Sequence, residues 1–299
     1  MVTKNDQVGR SGKTLDKHVE MRKLFGMALT FTKNLRAGKY PHEKTLSKFV
    51  YVDLHAGCGV YPDGTIGSPQ LFIDEAERLG EPYHAILCEV GAEQLMSLHS
   101  LYGRNPNVTV VGGDHMRTVE SVRSVIQQVR GDRGIVYGLV LADPNGADVP
   151  VEVINQIASG FKGSRIDVAI STGATSFKRR DGQRLPGVLG GINKRYFKCF
   201  WDIGGKWQWQ IWVASNWTNA GKSFPAGAHW MDSKGNQEDA LLKAAFTSRE
   251  RAVGLHLRIE PTASISVIPS SGRSERRSSP DQEVGANDAG LPQQLSLIT

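Results

Sequence analysis

A chain of 299 residues, 39% hydrophobic and 22% charged, is long enough to bury a sizeable core, as one large domain or two small ones. It has no apolar run of the roughly 18 residues that a membrane-spanning helix needs. Met1-Val-Thr-Lys-Asn-Asp also lacks the apolar stretch of a secretory leader, so a cytoplasmic protein is expected. The formal net charge is +6, and in segment 270–299 four acids outnumber three arginines, so the rest of the chain holds the whole basic excess and favours an anionic partner, nucleic acid foremost.

Residues 1–13 read as a polar leader. Thr14 suits the N-cap of a helix to about Ala37, stopped by Gly38, with Met21, Leu24, Phe25, Ala28 and Leu35 at helical spacing. A strand at Phe49–Leu54 runs into a glycine turn, and the loop 61–69 ends at Ser68-Pro69, which opens a helix to Leu79. Then come a strand at His84–Cys88, a helix near Ala92–Tyr102 and a strand at Val108–Val111. A helix near Arg117–Val129, a strand at Val136–Leu141, a helix near Pro150–Gly160 and a strand at Ile166–Ser171 continue the rhythm. Such alternation predicts an α/β domain with a mostly parallel, doubly wound sheet. After Arg179 the rhythm breaks. Arg195–Phe200 reads as helical, and Trp207–Ala214 and Leu255–Ile259 as strands that add an antiparallel C-terminal part. From about residue 269 to 299 the chain is rich in Ser, Arg, Pro and Gly and reads as a disordered tail.

The most informative stretch is Asp53-Leu-His-Ala-Gly-Cys-Gly59, an acid at a strand tip followed by two glycines that let backbone approach a ligand. Three more apolar strands end in acids, at Glu89, Asp114 and Asp143. In an open α/β sheet, ligands bind outside the carboxyl ends of the strands. A nucleoside uses such a row well: one carboxylate clasps ribose hydroxyls, another meets an exocyclic amine, and the glycine turn leaves room. Spacing alone does not separate a dinucleotide from another adenosine cofactor. The third glycine of Gly-x-Gly-x-x-Gly is replaced by Pro62, which weighs against a nicotinamide-dependent oxidoreductase, and there is no phosphate-binding Gly-x-x-x-x-Gly-Lys-Ser/Thr. The three cysteines, Cys58, Cys88 and Cys199, show no Cys-x-x-Cys spacing, so neither a zinc site nor a disulfide framework is expected and a reducing compartment is.

The stretch Asp53–Gly59 resembles the first motif of S-adenosylmethionine-dependent methyltransferases, and Asp143-Pro144 resembles the start of their fourth. The resemblance covers about residues 14–215 and implies a Rossmann-like methyltransferase fold with S-adenosylmethionine as cofactor. It implies that Asp53, His55, Ala56, Gly57 and Gly59 surround the cofactor, with Glu89 on the ribose and Asp114 with His115 on the adenine side. Catalysis falls to Asp143, Pro144, Asn145 and Gly146. More narrowly, Lys17-His18, the turn, Gly64, Gly67-Ser68-Pro69 and Asp143-Pro-Asn-Gly146 are similar to the three-Cys-motif partner proteins (TcmP family) of mobile elements. That likeness implies a chain working with a three-Cys-motif partner, with or without turnover.

The fourth motif departs from the pattern of amino-methyltransferases on adenine or cytosine, which carry a second proline and an aromatic that stacks on the base. Here Asn145 and Gly146 stand there, and Phe177, Tyr196 or a tryptophan is the candidate replacement. No cysteine follows a proline, against cytosine-5 chemistry. Methyl transfer to a nitrogen of DNA or RNA is the leading expectation. Trp201, Trp207, Trp209, Trp212 and Trp217 beside Lys198 and Lys206 read either as base platforms or as core, and Lys178-Arg179-Arg180 as a phosphate track or a solvated run. The stretch 179–268 is the candidate target-recognition elaboration of a domain spanning 14–268. His18 reads as a surface or packing residue.

Overall fold

A computed structural model of the chain describes residues 14–37, 48–131, 134–144, 148–160, 164–173, 185–194, 196–201, 209–215, 257–259 and 265–267. The helices are α1 (Thr14–Arg36), α2 (Ser68–Leu79), α3 (Ala92–Tyr102), α4 (His115–Arg130), α5 (Val151–Ser159) and α6 (Leu185–Gly191). The strands are β1 (Phe49–Asp53), β2 (Tyr83–Glu89), β3 (Val108–Gly112), β4 (Tyr137–Ala142) and β5 (Arg165–Gly173), then β6 (Tyr196–Trp201), β7 (Trp209–Ser215), β8 (Leu257–Ile259) and β9 (Ile265–Val267).

They form one sheet in the order β3-β2-β1-β4-β5-β7-β6-β8-β9. Pairing from β3 through β5 is parallel, whereas β7 runs antiparallel to both β5 and β6. The architecture is the expected Rossmann-like one, a doubly wound parallel sheet with an antiparallel C-terminal addition. Order reverses at β1, where the chain first builds outward to β3 and then returns through β4. This is the switch point at which such sheets hold ligands.

Alternation along the buried strands sorts the core into two layers. Val50, Val52, Ile86, Val140 and Ile166 pack with α4, α5 and α6 on one face. Phe49, Tyr51, Ala85, Leu139 and Ala169 pack with α1, α2 and α3 on the other. On that second face Phe72 stacks on Tyr51 (centroids 4.2 Å apart, planes at 14°), while Phe25 meets both rings edge-on. Aromatic pairs of this kind contribute about 0.5–1.5 kcal/mol each beyond their buried area. They fix the strand that carries Asp53.

The segment expected to be helical at Arg195–Phe200 is strand β6 instead. Tyr196, Phe197, Phe200 and Trp201 are β-formers, and six backbone pairings with β7 outweigh so short a helix. β7 starts at Trp209, and Trp207 lies outside the described residues, as do Lys178-Arg179-Arg180, Phe177, Lys206, Trp217, the leader 1–13 and the tail 269–299. Trp212, 1% exposed, is core. Cys88 is a buried free thiol. No described helix is long and apolar enough to cross a membrane.

Candidate functional site at the carboxyl ends of the strands

The tips of β1, β2 and β4 stand side by side, because Asp53 is in register with both Leu87 and Leu141. The turn after β1 is stitched to its neighbours by backbone hydrogen bonds, Leu54 N–H to Leu141 O (2.9 Å) and Ala56 N–H to Cys88 O (3.0 Å). Gly57 and Gly59 have φ of +61° and +77°, the left-handed conformation that glycine alone adopts without cost. Gly57 N–H donates to Glu89 Oε2 at 2.8 Å, and Val90 and Gly91 N–H donate to Glu89 Oε1 at 2.8 and 2.9 Å. Three of the roughly four acceptor positions of this carboxylate are thus filled, and one on Oε2 is left for a hydroxyl. Glu89 is half-buried.

Asp53 behaves differently from its expected role as a direct acceptor for a bound molecule. It is 0% exposed, and its carboxylate receives Tyr51 Oη (2.7 Å), Ser68 Oγ (2.6 Å) and His55 N–H (3.1 Å). Burial pushes it up to about 6, the hydrogen bonds pull the other way, and the nearby Asp143 adds to the rise. Asp53 therefore ties the strand, the turn and the start of α2 together. Neither Tyr51 nor Ser68 stands out in the sequence as its partner, although Tyr51 and Asp53, two apart on a strand, must share a face.

The far side of the turn rests on α3. A Cβ on Gly59 would lie 2.8 Å from Tyr102 Cε2, and Tyr102 Oη donates to Gln70 Oε1 at 2.8 Å. Ser97 Oγ donates to Cys58 O, and Gly67 N–H to Gly59 O. Gly59→Ala is expected to cost about 1–3 kcal/mol, from backbone strain plus overlap with the ring. Gly57→Ala, whose added Cβ would meet only Tyr61 Oη at 3.5 Å, should cost less. Urea unfolding of the two variants against the parent chain checks the order.

Asp114 stands at the end of the neighbouring β3, exposed, and caps α4 by accepting Met116 N–H at 3.0 Å. His115 is the first residue of that helix. Asp143 follows β4 and is held by Lys17 of α1 in an ion pair at 2.5 Å, with the two side chains 20% and 28% exposed. Pro144 is half-buried beside it, and Asn145 and Gly146 lie outside the described residues. Lys17 is legible in the sequence only through a motif likeness, because an ion pair spanning 126 residues leaves no local signal. Among the described residues no group of three or more His, Cys, Asp or Glu is placed to hold a metal ion. The donors and acceptors present, a carboxylate with one open position and a turn of left-handed glycines, suit a hydroxyl-bearing organic cofactor.

No protein-family model matches the chain, and no curated protein matches it. Solved structures do. A fibrillarin/Nop5p complex is 14% identical over 56% of this chain and 73% of its own, with a TM-score of 0.38. The DszA carbon methyltransferase is 14% identical over 71% and 57%, at 0.42. TrmK of M. capricolum, solved with its natural cofactor product S-adenosyl-homocysteine, is 9% identical over 58% and 65%, at 0.32. These likenesses concern the general arrangement of helices and strands, and what each protein binds or modifies is said of that protein.

Proposed function

We propose that this chain binds S-adenosylmethionine at the turn after β1 and transfers its methyl group to a nitrogen of DNA or RNA. The observation that supports this most is one juxtaposition: the glycine turn, the Glu89 carboxylate bonded to Gly57 N–H, and Asp143 stand together at the tips of β1, β2 and β4. In this reading Glu89 takes a ribose hydroxyl on its open Oε2 position. Ala56, Gly57 and Gly59 leave space, His55 flanks it, and Asp114 with His115 stands toward the adenine. Asp53 braces the turn from beneath. The bound cofactor supplies a methyl group on a sulfonium that leaves as a thioether without further activation. The chain's own work is to hold an acceptor nitrogen in line with that methyl. Asp143 accepts an N–H of the acceptor, Pro144 fixes the backbone, and Asn145 with Gly146 completes the tetrad.

The test has two arms. S-adenosylhomocysteine should raise the melting temperature and NAD should not; stabilisation by NAD alone overturns the cofactor assignment. With labelled S-adenosylmethionine, methyl incorporation into RNA or DNA should fall about a hundredfold in Asp143→Ala. Incorporation that is unaffected by this change removes Asp143 from the chemistry.

The Lys17–Asp143 ion pair supports a second reading. An acid neutralised by lysine, in a tetrad without the stacking aromatic, also suits a chain that binds without turnover alongside a three-Cys-motif partner of a mobile element. Cofactor binding with no methyl incorporation into RNA, DNA or protein would favour it.

A further inference from the structure

Helices α1 and α2 run side by side in the same direction, both starting at the carboxyl edge of the sheet, where Lys17 meets Asp143 and Ser68 meets Asp53. Lower down they touch. Gly26 of α1 has no side chain, and a Cβ there would fall inside the Glu75 carboxylate of α2. Alongside this contact the two helices and Ile66 line a groove of about 720 Å³. That volume lies within the roughly 300–1,000 Å³ of sites that take small organic groups.

Its lining is unlike an ordinary solvated helix seam. Most of the wall is apolar, with Val19 and Ile66 on its surface and the buried Leu71 beneath. Val19 is 54% exposed, an aliphatic side chain left open to water inside a concave surface. Around this strip stand Arg22, Lys23 and Arg78, with the Glu75 carboxylate among them. Lys23 pairs with Glu20 and Arg78 with Glu75, while Arg22 has no ion pair among the described residues. His18 lines the upper end, one residue from Lys17, and burial together with the Lys17 charge lowers its pKa, so it adds little positive charge near neutral pH.

We infer that this groove receives an unpaired stretch of nucleic acid on its way to Asp143, with Arg22 on a phosphate and a base laid against Val19 and Ile66. Two features favour this occupant. The strip is apolar and edged by cations, of which Arg22 has no ion pair among the described residues, and this matches a strand that alternates flat apolar bases with anionic phosphates. The groove's lining also includes His18, one residue from the Lys17 that holds the acid which the proposed function gives to the acceptor amine. A base leaving its upper end reaches Asp143 by displacing Lys17, and the freed ammonium is then positioned beside the incoming strand.

The inference rests on the reading that the acceptor is nucleic acid, and its test is separable from the cofactor reading. Anisotropy of a labelled single-stranded RNA of mixed sequence, titrated with the full chain, is compared for the parent, Arg22→Glu, Val19→Glu and Arg104→Glu. Arg104 is exposed in the turn before β3 on the opposite edge of the sheet, has no ion pair among the described residues, and so matches the change in net charge. Arg22→Glu and Val19→Glu should each weaken binding about tenfold, and Arg22→Glu should flatten the salt dependence by about 0.7 in log–log slope, the share of one phosphate no longer neutralised. Arg104→Glu should leave affinity within about a factor of two. Equal losses in Arg22→Glu and Arg104→Glu, no loss in Arg22→Glu, or tighter binding of a duplex than of the single strand overturns the groove assignment. S-adenosylhomocysteine affinity is read on the same preparations. A chain that binds this compound but no RNA defeats the groove alone; one that binds RNA through Arg22 but not the compound defeats the cofactor reading alone.

Discussion

Gly138→Ala is expected to destabilise the protein by about 3 kcal/mol or more, or to prevent folding, although it adds a single methyl group. Gly138 lies in β4 opposite Val50 of β1, the pairing that joins the two halves of the parallel sheet. A Cβ at this position would fall inside the carbonyl oxygen of Val50. Side-chain crowding is relieved by a new rotamer, but here the obstacle is backbone, so relief requires β1 and β4 to move apart. That displacement would stretch the ladder beneath Asp53 and break the register that sets Asp53 beside Leu141. Loss of stability and loss of the site should therefore appear together. The measurement is the urea midpoint with its slope, and S-adenosylhomocysteine binding by calorimetry on whatever fraction folds. A variant as stable as the parent would mean that β1 and β4 leave room for a methyl group between them. Gly80→Ala is the comparison, since its added Cβ meets nothing within 4 Å and its cost is only that of the left-handed backbone at φ +64°.

How far the sequence foretells this molecule depends on the range of the interaction concerned. Strands β1, β2, β3 and β4 are legible because they are apolar runs bounded by turn residues, and in β1, β2 and β4 burial on both faces makes such runs near-continuous. The helix after β3 is legible in kind, but its start reads two residues late, at Arg117 instead of His115. The reason is specific: Asp114 reads as a ligand-facing acid, and the same side chain is what caps the helix by accepting Met116 N–H. β6 is misread because its aromatic residues gain their stability from β7, a partner that follows a break in the strand–helix rhythm. At the site, Asp53, Glu89 and Asp143 are legible as strand-tip acids, and Gly57 and Gly59 as the turn. What holds them is not. The Tyr102 ring under Gly59, the Ser68 hydroxyl on Asp53 and the Lys17 ammonium on Asp143 all come from other elements. Only the folded register brings them within reach.

Asp53→Asn should change the pH dependence of stability in a defined window and loosen the turn. In the folded chain Asp53 is raised from 3.8 to about 6, chiefly by burial, so the folded state holds its proton more tightly than the unfolded state does. Stability from this residue is then greatest below pH 4 and is lost as pH rises from about 4 to about 6, by a total on the order of 3 kcal/mol. Asparagine cannot ionise. Stability of Asp53→Asn minus that of the parent should therefore climb through the same interval and level off above it. Taking the difference removes His18 and His84, whose pKa values burial lowers and which push stability the opposite way in both proteins. A flat difference between pH 4 and 7 would mean that the buried carboxylate is not perturbed. The turn should respond separately. The carboxylate accepts Tyr51 Oη and Ser68 Oγ on one oxygen and His55 N–H on the other, whereas an amide has one acceptor oxygen for the three donors. At least one of the three bonds must go. Because Tyr51 is clamped by Phe25 and Phe72, the yielding side is the one nearer the surface, His55 or Ser68. Release there frees the segment that carries Gly57 onto Glu89. Weaker S-adenosylhomocysteine binding at pH 7.5, where the stability difference is flat, would attribute the loss to the geometry of the turn and not to unfolding.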